Sequence, residues 1–162
     1  MSVGDNMAEK TNAIRLLQQA KIPFRERFYE YDEHDLNGNH AANAIGMPPE
    51  QVFKTLVARG ERNGIHVFCI PVCCELDLKK AAKVIGDKKV EMVAVKELLG
   101  LTGYIRGGCS PVGMKKKYPT HFDETCILWD EIAVSAGARG HQVILAPDAL
   151  TEFVSAQLAD LT

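Results

Sequence analysis

Residues 53–72 read FKTLVARGERNGIHVFCIPV and carry the clearest structural pattern in the chain. Two runs within it, residues 54–58 and 65–72, are rich in β-branched, aromatic and other apolar residues, which favour strands. The polar residues 59–63 between them have the composition of a turn. The stretch therefore predicts a β-hairpin.

Helical and strand patterns extend outward from this hairpin without a regular βαβ period. We predict helices at residues 11–20, 40–46, 76–85 and 96–101 and from Pro147 through Leu158, and further strands at residues 24–31, 104–105, 126–132 and 141–145. Residues 118–125 read as a loop and residues 135–140 as a turn. This mixture indicates a single α+β domain over residues 11–162, with a mixed sheet flanked by helices. The polar residues 1–10 are predicted to be a flexible N-terminal segment.

Composition limits the classes of function. The 162 residues have a formal net charge of -2, so any nucleic-acid binding must depend on local basic patches. No apolar run approaches the roughly 20 residues of a membrane span and no signal peptide opens the chain, so we expect a cytoplasmic protein. The five cysteines and five histidines show no metal-binding spacing, so no metal or other cofactor is predicted.

A second informative stretch, residues 104–117 (YIRGGCSPVGMKKK), is called the glycine loop here. Gly107, Gly108 and Gly113 allow positive φ and a close approach of the backbone to a ligand. Successive N–H groups in such a bend favour negative charge, and neighbouring lysines add to that preference. The glycine loop therefore predicts a backbone-built site for an oxyanion or a phosphate. The predicted phosphate contacts are Lys115, Lys116 and Lys117.

Three single residues invite a chemical role, and each has a simpler alternative. Lys54 follows an apolar residue and could hold its ammonium over a cleft, or merely extend to solvent from the end of a strand. Cys109 could be a nucleophile, but no histidine has the spacing of a partner base, so a space-filling role is favoured. Tyr29 could line a pocket or pack in the core.

Three motifs together resemble the YbaK/EbsC family: FKTLV at 53–57, LDLKKAAK at 76–83 and GGCSPVG at 107–113. Members of this family are trans-editing aminoacyl-tRNA deacylases, related to the editing domain of bacterial prolyl-tRNA synthetases. The chain is most similar to the YbaK branch, which hydrolyses Cys-tRNA(Pro). The resemblance extends from about residue 11 to the C-terminus and implies a mixed, partly barrel-like sheet.

The resemblance also implies a set of site residues. Its functional positions correspond to Tyr29, Lys54, Thr55, Gly107 and Ser135. We add Gly108 as a second backbone donor, Ser110 as a neighbouring hydroxyl, and Gln142, which stands where some relatives carry a carboxylate. In this set Lys54, Gly107 and Gly108 are catalytic and the others bind substrate.

The chain offers no convincing pair of nucleophile and base, and the resemblance implies a way to work without one. The thiol of a cysteine ester can attack its own carbonyl if the protein holds it close. The expected partners are a mischarged tRNA(Pro) and prolyl-tRNA synthetase in a ternary complex. Two alternatives remain: deacylation of Ala-tRNA(Pro) or another misacylated tRNA by water, and a non-catalytic module that binds a tRNA or nucleotide.

Overall fold

The computed structural model describes residues 10–162, so the predicted flexible segment lies outside the described residues except for Lys10. The helices of the described part are α1 Asn12–Gln19, α2 Gly38–Ile45, α3 Leu78–Ile85, α4 Val95–Thr102 and α5 Pro147–Phe153, with short 3₁₀ segments at Pro49–Gln51 and Glu124–Leu128. The strands are β1 Arg25–Phe28, β2 Phe53–Gly60, β3 Gly64–Pro71, β4 Val90–Met92, β5 Thr120–Asp123, β6 Ile132–Ala138, β7 His141–Leu145 and β8 Gln157–Ala159. Within residues 10–162, no helix is long and apolar enough to cross a membrane.

The predicted hairpin forms the centre of a five-stranded sheet with the order β4-β2-β3-β5-β8. Strands β2 and β3 pair antiparallel from Phe53 opposite Pro71 to Gly60 opposite Gly64. Strand β4 extends the antiparallel side, whereas β5 and β8 add in parallel beyond β3. Because β3 has strands on both edges and layers on both faces, its residues 66–71 are all buried. This burial explains why β3 reads as a continuous apolar run.

A second sheet contains three antiparallel strands in the order β1-β7-β6. The two sheets meet where Val52 forms a parallel bridge with Ala133 of β6. The Val52 carbonyl oxygen also accepts a hydrogen bond from the N–H of Val72 at 2.8 Å. Since β2 begins one residue after Val52, the junction lies directly beside the start of this strand.

The main core lies between the two sheets and helix α1. The Thr11 hydroxyl caps α1 by accepting from the N–H of Ile14 at 3.1 Å, and it donates to the carbonyl oxygen of Ala136 in β6, which joins the start of the helix to that strand. In the core, the rings of Phe53 and Phe122 lie 6.2 Å apart. Helix α3 covers the other face of the larger sheet with Ala81 and neighbouring residues. The prediction of one α+β domain with mixed sheets and flanking helices is confirmed.

Two local predictions around the glycine loop are wrong. Residues 104–105, predicted as a strand, are irregular, because the buried Tyr104 hydroxyl donates to the carbonyl oxygen of Val112 at 2.6 Å and folds the loop back on itself. Residues 118–125, predicted as a loop, contain β5. Strand β5 is stabilised from outside its own sequence, since β3 and β8 pair with its two edges.

The C-terminal part also differs from the prediction. The predicted strand 126–132 is replaced by the 3₁₀ segment Glu124–Leu128, and β6 runs through most of the residues predicted as a turn. The actual turn is confined to Arg139 and Gly140. Residues 157–159 leave the last helix early and form β8, because the edge of β5 is open to pairing there.

Candidate active site

A cavity of about 870 Å³ lies at the junction of the two sheets. The larger sheet supplies Lys54 and Thr55 from β2. The smaller sheet supplies Ser135 and Gln142 from β6 and β7. The glycine loop contributes Gly107, and residues of α2 and α4 complete the walls. Both sheets are therefore needed to build the cavity.

Lys54 lines this cavity from a half-buried position opposite Ile70 in the hairpin. Among residues 10–162, no carboxylate pairs with its ammonium group. A half-buried cation without an ion pair is available to a negatively charged part of a ligand. Of the two readings of Lys54 from sequence, the structure gives the one with the side chain at a cleft.

Tyr29, Ser135 and Gln142 form one polar wall of the cavity. The backbone places them together, because Ser135 lies opposite Gln142 in the sheet and the N–H of Tyr29 donates to the carbonyl oxygen of Gly140 at 2.9 Å. Burial raises the pKa of the Tyr29 phenol, and hydrogen bonding to Gln142 and Gly140 partly offsets this rise. The buried Oε1 of Gln142 has no hydrogen-bond partner within the described chain. This wall thus offers hydroxyl and amide groups to a polar ligand.

Gly107 lies at the cavity surface with φ of +88°, in the left-handed region that favours glycine. A Cβ at this position would lie 3.1 Å from Cδ2 of Leu36. Its N–H has no acceptor among the described residues. Gly107 therefore brings a backbone N–H without an acceptor in the described chain to the lining of the cavity, and its role as a donor to a ligand stays a prediction.

Two other predicted positions, Gly108 and Ser110, do not line the cavity. The N–H of Gly108 already donates to the carbonyl oxygen of Ile105 at 2.9 Å, and a Cβ on Gly108 would lie 3.1 Å from the backbone of Ala138. Ser110 is fully buried, and its Oγ accepts from the N–H of Val112 at 3.2 Å. Both residues hold the glycine loop in its conformation and against β6, and neither offers a free group to a ligand.

The three predicted phosphate contacts also lie outside the cavity. Lys115, Lys116 and Lys117 are exposed beyond the C-terminal end of α4, where the N–H of Lys115 donates to the carbonyl oxygen of Thr102 at 2.8 Å. They can contact a ligand only if it extends along the protein surface from the cavity.

No cysteine in the cavity has the surroundings of a nucleophile. Cys109 is buried beside Gly108, and burial raises the pKa of its thiol to about 11. Cys73 and Cys74 lie at the rim with their Sγ atoms 3.9 Å apart, and burial raises the pKa of the Cys73 thiol. Within residues 10–162, none of these thiols hydrogen-bonds to a histidine, and no cluster of three or more potential metal ligands occurs.

Sequence reasoning missed two contributions to the cavity. Arg106 lines it directly before Gly107, and its place beside the glycine pair was the available signal. The start of α2 lines it through Asn37 and Asn39, where the Asn37 side chain caps the helix by accepting from the Asn39 N–H at 2.8 Å. The signal here was the asparagine preceding a helix, which is a common N-cap.

The described residues thus form an α+β domain in which two joined sheets surround a polar cavity with a glycine bend, and no thiol at this cavity is bonded to a histidine. A family model described as an aminoacyl-tRNA editing domain matches residues 38–153. The chain belongs to this family. By homology it is an aminoacyl-tRNA deacylase, a hydrolase that acts in editing, as its sequence predicts.

Individual relatives agree with this assignment. A protein of Enterococcus faecalis (strain ATCC 700802 / V583), named as a candidate Cys-tRNA(Pro)/Cys-tRNA(Cys) deacylase EbsC, is 46% identical over 154 residues, which cover 95% of this chain and 94% of the relative. The crystal structure of a candidate trans-editing enzyme for prolyl tRNA synthetase superposes with a TM-score of 0.78 at 27% identity, covering 93% of this chain and 96% of that one. The protein APE2540 shares the fold, with a TM-score of 0.84 at 20% identity and coverage of 93% and 99%.

Proposed function

We propose that the chain hydrolyses Cys-tRNA(Pro) in trans and that the cysteinyl thiol of the substrate is the attacking group. The proposal is supported by the 46% identical relative, whose name specifies Cys-tRNA(Pro) and Cys-tRNA(Cys). A trans-editing structure of the same fold is named for prolyl tRNA synthetase. Both names agree with the branch that the sequence motifs resemble.

One observation carries the mechanism: the cavity holds binding groups but no activated nucleophile. Its buried thiol, Cys109, has a raised pKa, and the rim thiols have no histidine partner in the described chain. His34 lines the outer part of the cavity from an exposed position in an acidic loop. A cysteine ester brings a nucleophile that is already attached near its own carbonyl, and such proximity supplies much of the rate.

The first step takes place entirely within the substrate. The cysteinyl Sγ forms a bond to the ester carbonyl carbon, and the bond from that carbon to the ribose oxygen breaks. The thiol proton ends on the ribose hydroxyl, and the released thiolactone is hydrolysed to cysteine by water. The carbonyl oxygen carries negative charge in between, so a fixed N–H donor lowers the barrier.

The residues that line the cavity divide this work. The N–H of Gly107 donates to the oxyanion, and the ammonium of Lys54 holds the 3′-terminal phosphate or ribose side of the ester. Tyr29, Ser135 and Gln142 bind the aminoacyl group from one wall, and Thr55 closes the opposite side with its hydroxyl 3.6 Å from the Sγ of Cys69. The bend and the cation thus replace a reactive side chain.

This mechanism answers a problem of specificity. A pocket alone separates amino acids that differ by one small group by only about 1–3 kcal/mol. If the substrate must supply the thiol, alanine and serine esters fail for lack of a nucleophile, whatever their fit. The cavity contains no feature large enough to read a whole tRNA, so we propose that prolyl-tRNA synthetase selects tRNA(Pro) in a ternary complex.

The test is a deacylation panel with tRNA(Pro) charged with cysteine, alanine or serine, and tRNA(Cys) charged with cysteine. We expect the cysteine ester on tRNA(Pro) to be hydrolysed at least about 100-fold faster than the alanine and serine esters. Equal rates for cysteine and alanine would replace the proposal by attack of water. Cys109→Ala should keep its activity within about threefold; loss of activity in this variant, with a covalent adduct in the wild type, would overturn the role of the substrate thiol.

A further inference from the structure

The walls around the mouth of the cavity differ in charge. The α2 side carries the exposed carboxylates of Asp32, Glu33 and Asp35, and the segment before α3 adds Glu75. The α4 side is cationic at both ends. It carries Lys96 in the first turn of α4 and Lys115, Lys116 and Lys117 beyond its end, whereas Arg106 lies at the mouth next to Gly107 and Leu36. A polyanion leaving the cavity is therefore repelled on two sides and attracted along α4.

The α4 side also exposes apolar side chains that the fold does not cover. Val95 and Leu99, one helical turn apart, are 63% and 54% exposed, and Val95 belongs to the cavity rim. Gly103 lies one further turn along from Leu99. A Cβ added to Gly103 would lie 3.7 Å from the Cβ of Lys115, so Lys115 lies next to this end of the helix. Ile105 is exposed next to this end. Val95, Leu99, Ile105 and Lys115–Lys117 are called the α4 surface here.

Glu97 on α4 and Glu91 on β4 are already paired with cations. Glu97 accepts from the Arg59 guanidinium at 2.8 Å, and Glu91 pairs with the ammonium of Lys89 at 3.0 Å. Within residues 10–162, no carboxylate pairs with Lys115, Lys116 or Lys117, so their charge is uncompensated there. A stripe of exposed apolar side chains that ends in cations fits a single-stranded nucleic acid. Its base faces can pack on the apolar side chains while its phosphates contact the cations.

We infer that the α4 surface binds the single-stranded 3′ end of the substrate tRNA. This inference rests on the proposed function, which places the terminal aminoacyl ester in the cavity. The eight residues of α4 span about 12 Å, and stacked nucleotides at about 3.4 Å each cover that length in three to four steps. Val95 and Leu99 contact the bases next to the ester, and the lysines contact the phosphates that follow.

The experiment compares the wild-type protein with the triple variant Lys115→Glu/Lys116→Glu/Lys117→Glu. The matched control is Lys79→Glu/Lys83→Glu/Lys88→Glu, which makes the same change of charge at exposed lysines outside the cavity and the α4 surface. Binding of Cys-tRNA(Pro) is measured across a salt series. We expect the triple variant to bind at least 10-fold more weakly at low salt, and its salt slope to fall by about 2, since each single-strand phosphate contact contributes about 0.7. The control should keep the wild-type slope.

Two further arms locate the contact on the tRNA. With a tRNA that lacks its single-stranded 3′ nucleotides, wild type and triple variant should bind alike. Leu99→Glu should weaken binding of intact tRNA, and Leu99→Met should restore it. If the wild type deacylates Cys-tRNA(Pro) but the triple variant binds and turns over equally well, the docking inference is wrong and the proposed function stands. If the wild type hydrolyses no aminoacyl-tRNA, the proposed function fails first. A wild-type dimer that dissociates in Leu99→Glu would assign the surface to self-association and overturn the inference.

Discussion

The cavity and the buried face of the larger sheet both collect polar side chains, but they leave them in different states. On the sheet face, Nδ1 of His66 lies 3.0 Å from Nε2 of His121, both rings stack near Phe68, and Nδ1 of His121 is buried without a partner in the described chain. In the cavity, Lys54 and the Oε1 of Gln142 find no partner within the described chain. The histidines contact each other and lie away from the cavity, so they can stabilise the fold but cannot reach a ligand there, whereas an unpaired ammonium at the cavity can bind one. Residue type alone therefore does not mark a site, since the histidines would be the usual candidates for chemistry.

The largest effect expected on the cavity side comes from removing its cation. We expect Lys54→Ala to lower kcat/KM for Cys-tRNA(Pro) at least about 100-fold, because it removes the cation that we propose pairs with the bound substrate, and loss of one partner of such a charged pair costs about 2–5 kcal/mol. Lys79→Ala removes the same charge from an exposed position on α3 and should change the rate less than about twofold. A Lys54→Ala variant with wild-type rates would show that the cavity cation, like the histidine pair, has no role in the reaction.

A smaller effect is expected from closing the glycine bend. Gly107→Ala should lower kcat about 10- to 100-fold, since the residue has φ of +88° and its Cβ would press on Leu36. Gly86→Ala is the matched control, because Gly86 has φ of +68° and no atom within 4 Å of the added Cβ. Both variants should lose stability to a similar degree in thermal unfolding, at about 1–3 kcal/mol. Equal activity losses in the two would show that backbone strain, and not the exposed donor, explains the result.

The smallest effect is expected from the histidine pair and concerns stability alone. Burial lowers the pKa of His121 to about 4, with the nearby His66 adding to the effect, and burial also lowers the pKa of His66. The unfolded chain, with a histidine pKa of about 6.5, therefore binds protons that the folded chain does not. The free energy of unfolding should fall as the pH drops from about 6.5 toward 4, by at most about 1.4 kcal/mol per pH unit for each histidine.

Urea unfolding of wild type and His121→Gln at several pH values between 4.5 and 7.5 measures this. The variant should show the shallower decline, since one of the two buried rings is gone. An identical pH dependence in both proteins would mean that the pair does not titrate separately from the rest of the fold.

Much of the fold was predictable because its signals are local. The hairpin follows from two apolar runs around a polar turn, and the caps of α2 and α3 follow from an asparagine before one helix, an aspartate before the other and a glycine after each. Strand β5 was not predictable, because its edges pair with residues far away in sequence and its centre is buried on both faces. The partnership of His66 with His121 spans 55 positions and leaves no local trace.

Part of the cavity lining was predictable from the sequence, but not which residue of each motif reaches the cavity. Gly107 and Gly108 look equivalent in sequence, yet one has a positive φ at the cavity and the other approaches the backbone of Ala138. Glycine serves both demands, so its presence does not tell them apart. The lysines at 115–117 are adjacent in sequence to the predicted anion site, but the fold of the loop around Tyr104 carries them to the far end of α4.

The bridge between Val52 and Ala133 has a consequence for how such a domain can change its substrate. Lys54 belongs to one sheet, and Ser135 and Gln142 belong to the other, so the gap between them depends on the angle at which the sheets join. We expect a change of side-chain size at Ala133 to open or narrow this gap while every lining residue stays the same. We therefore expect the junction of the two sheets to influence which amino acid the cavity accepts, separately from the side chains that act on it.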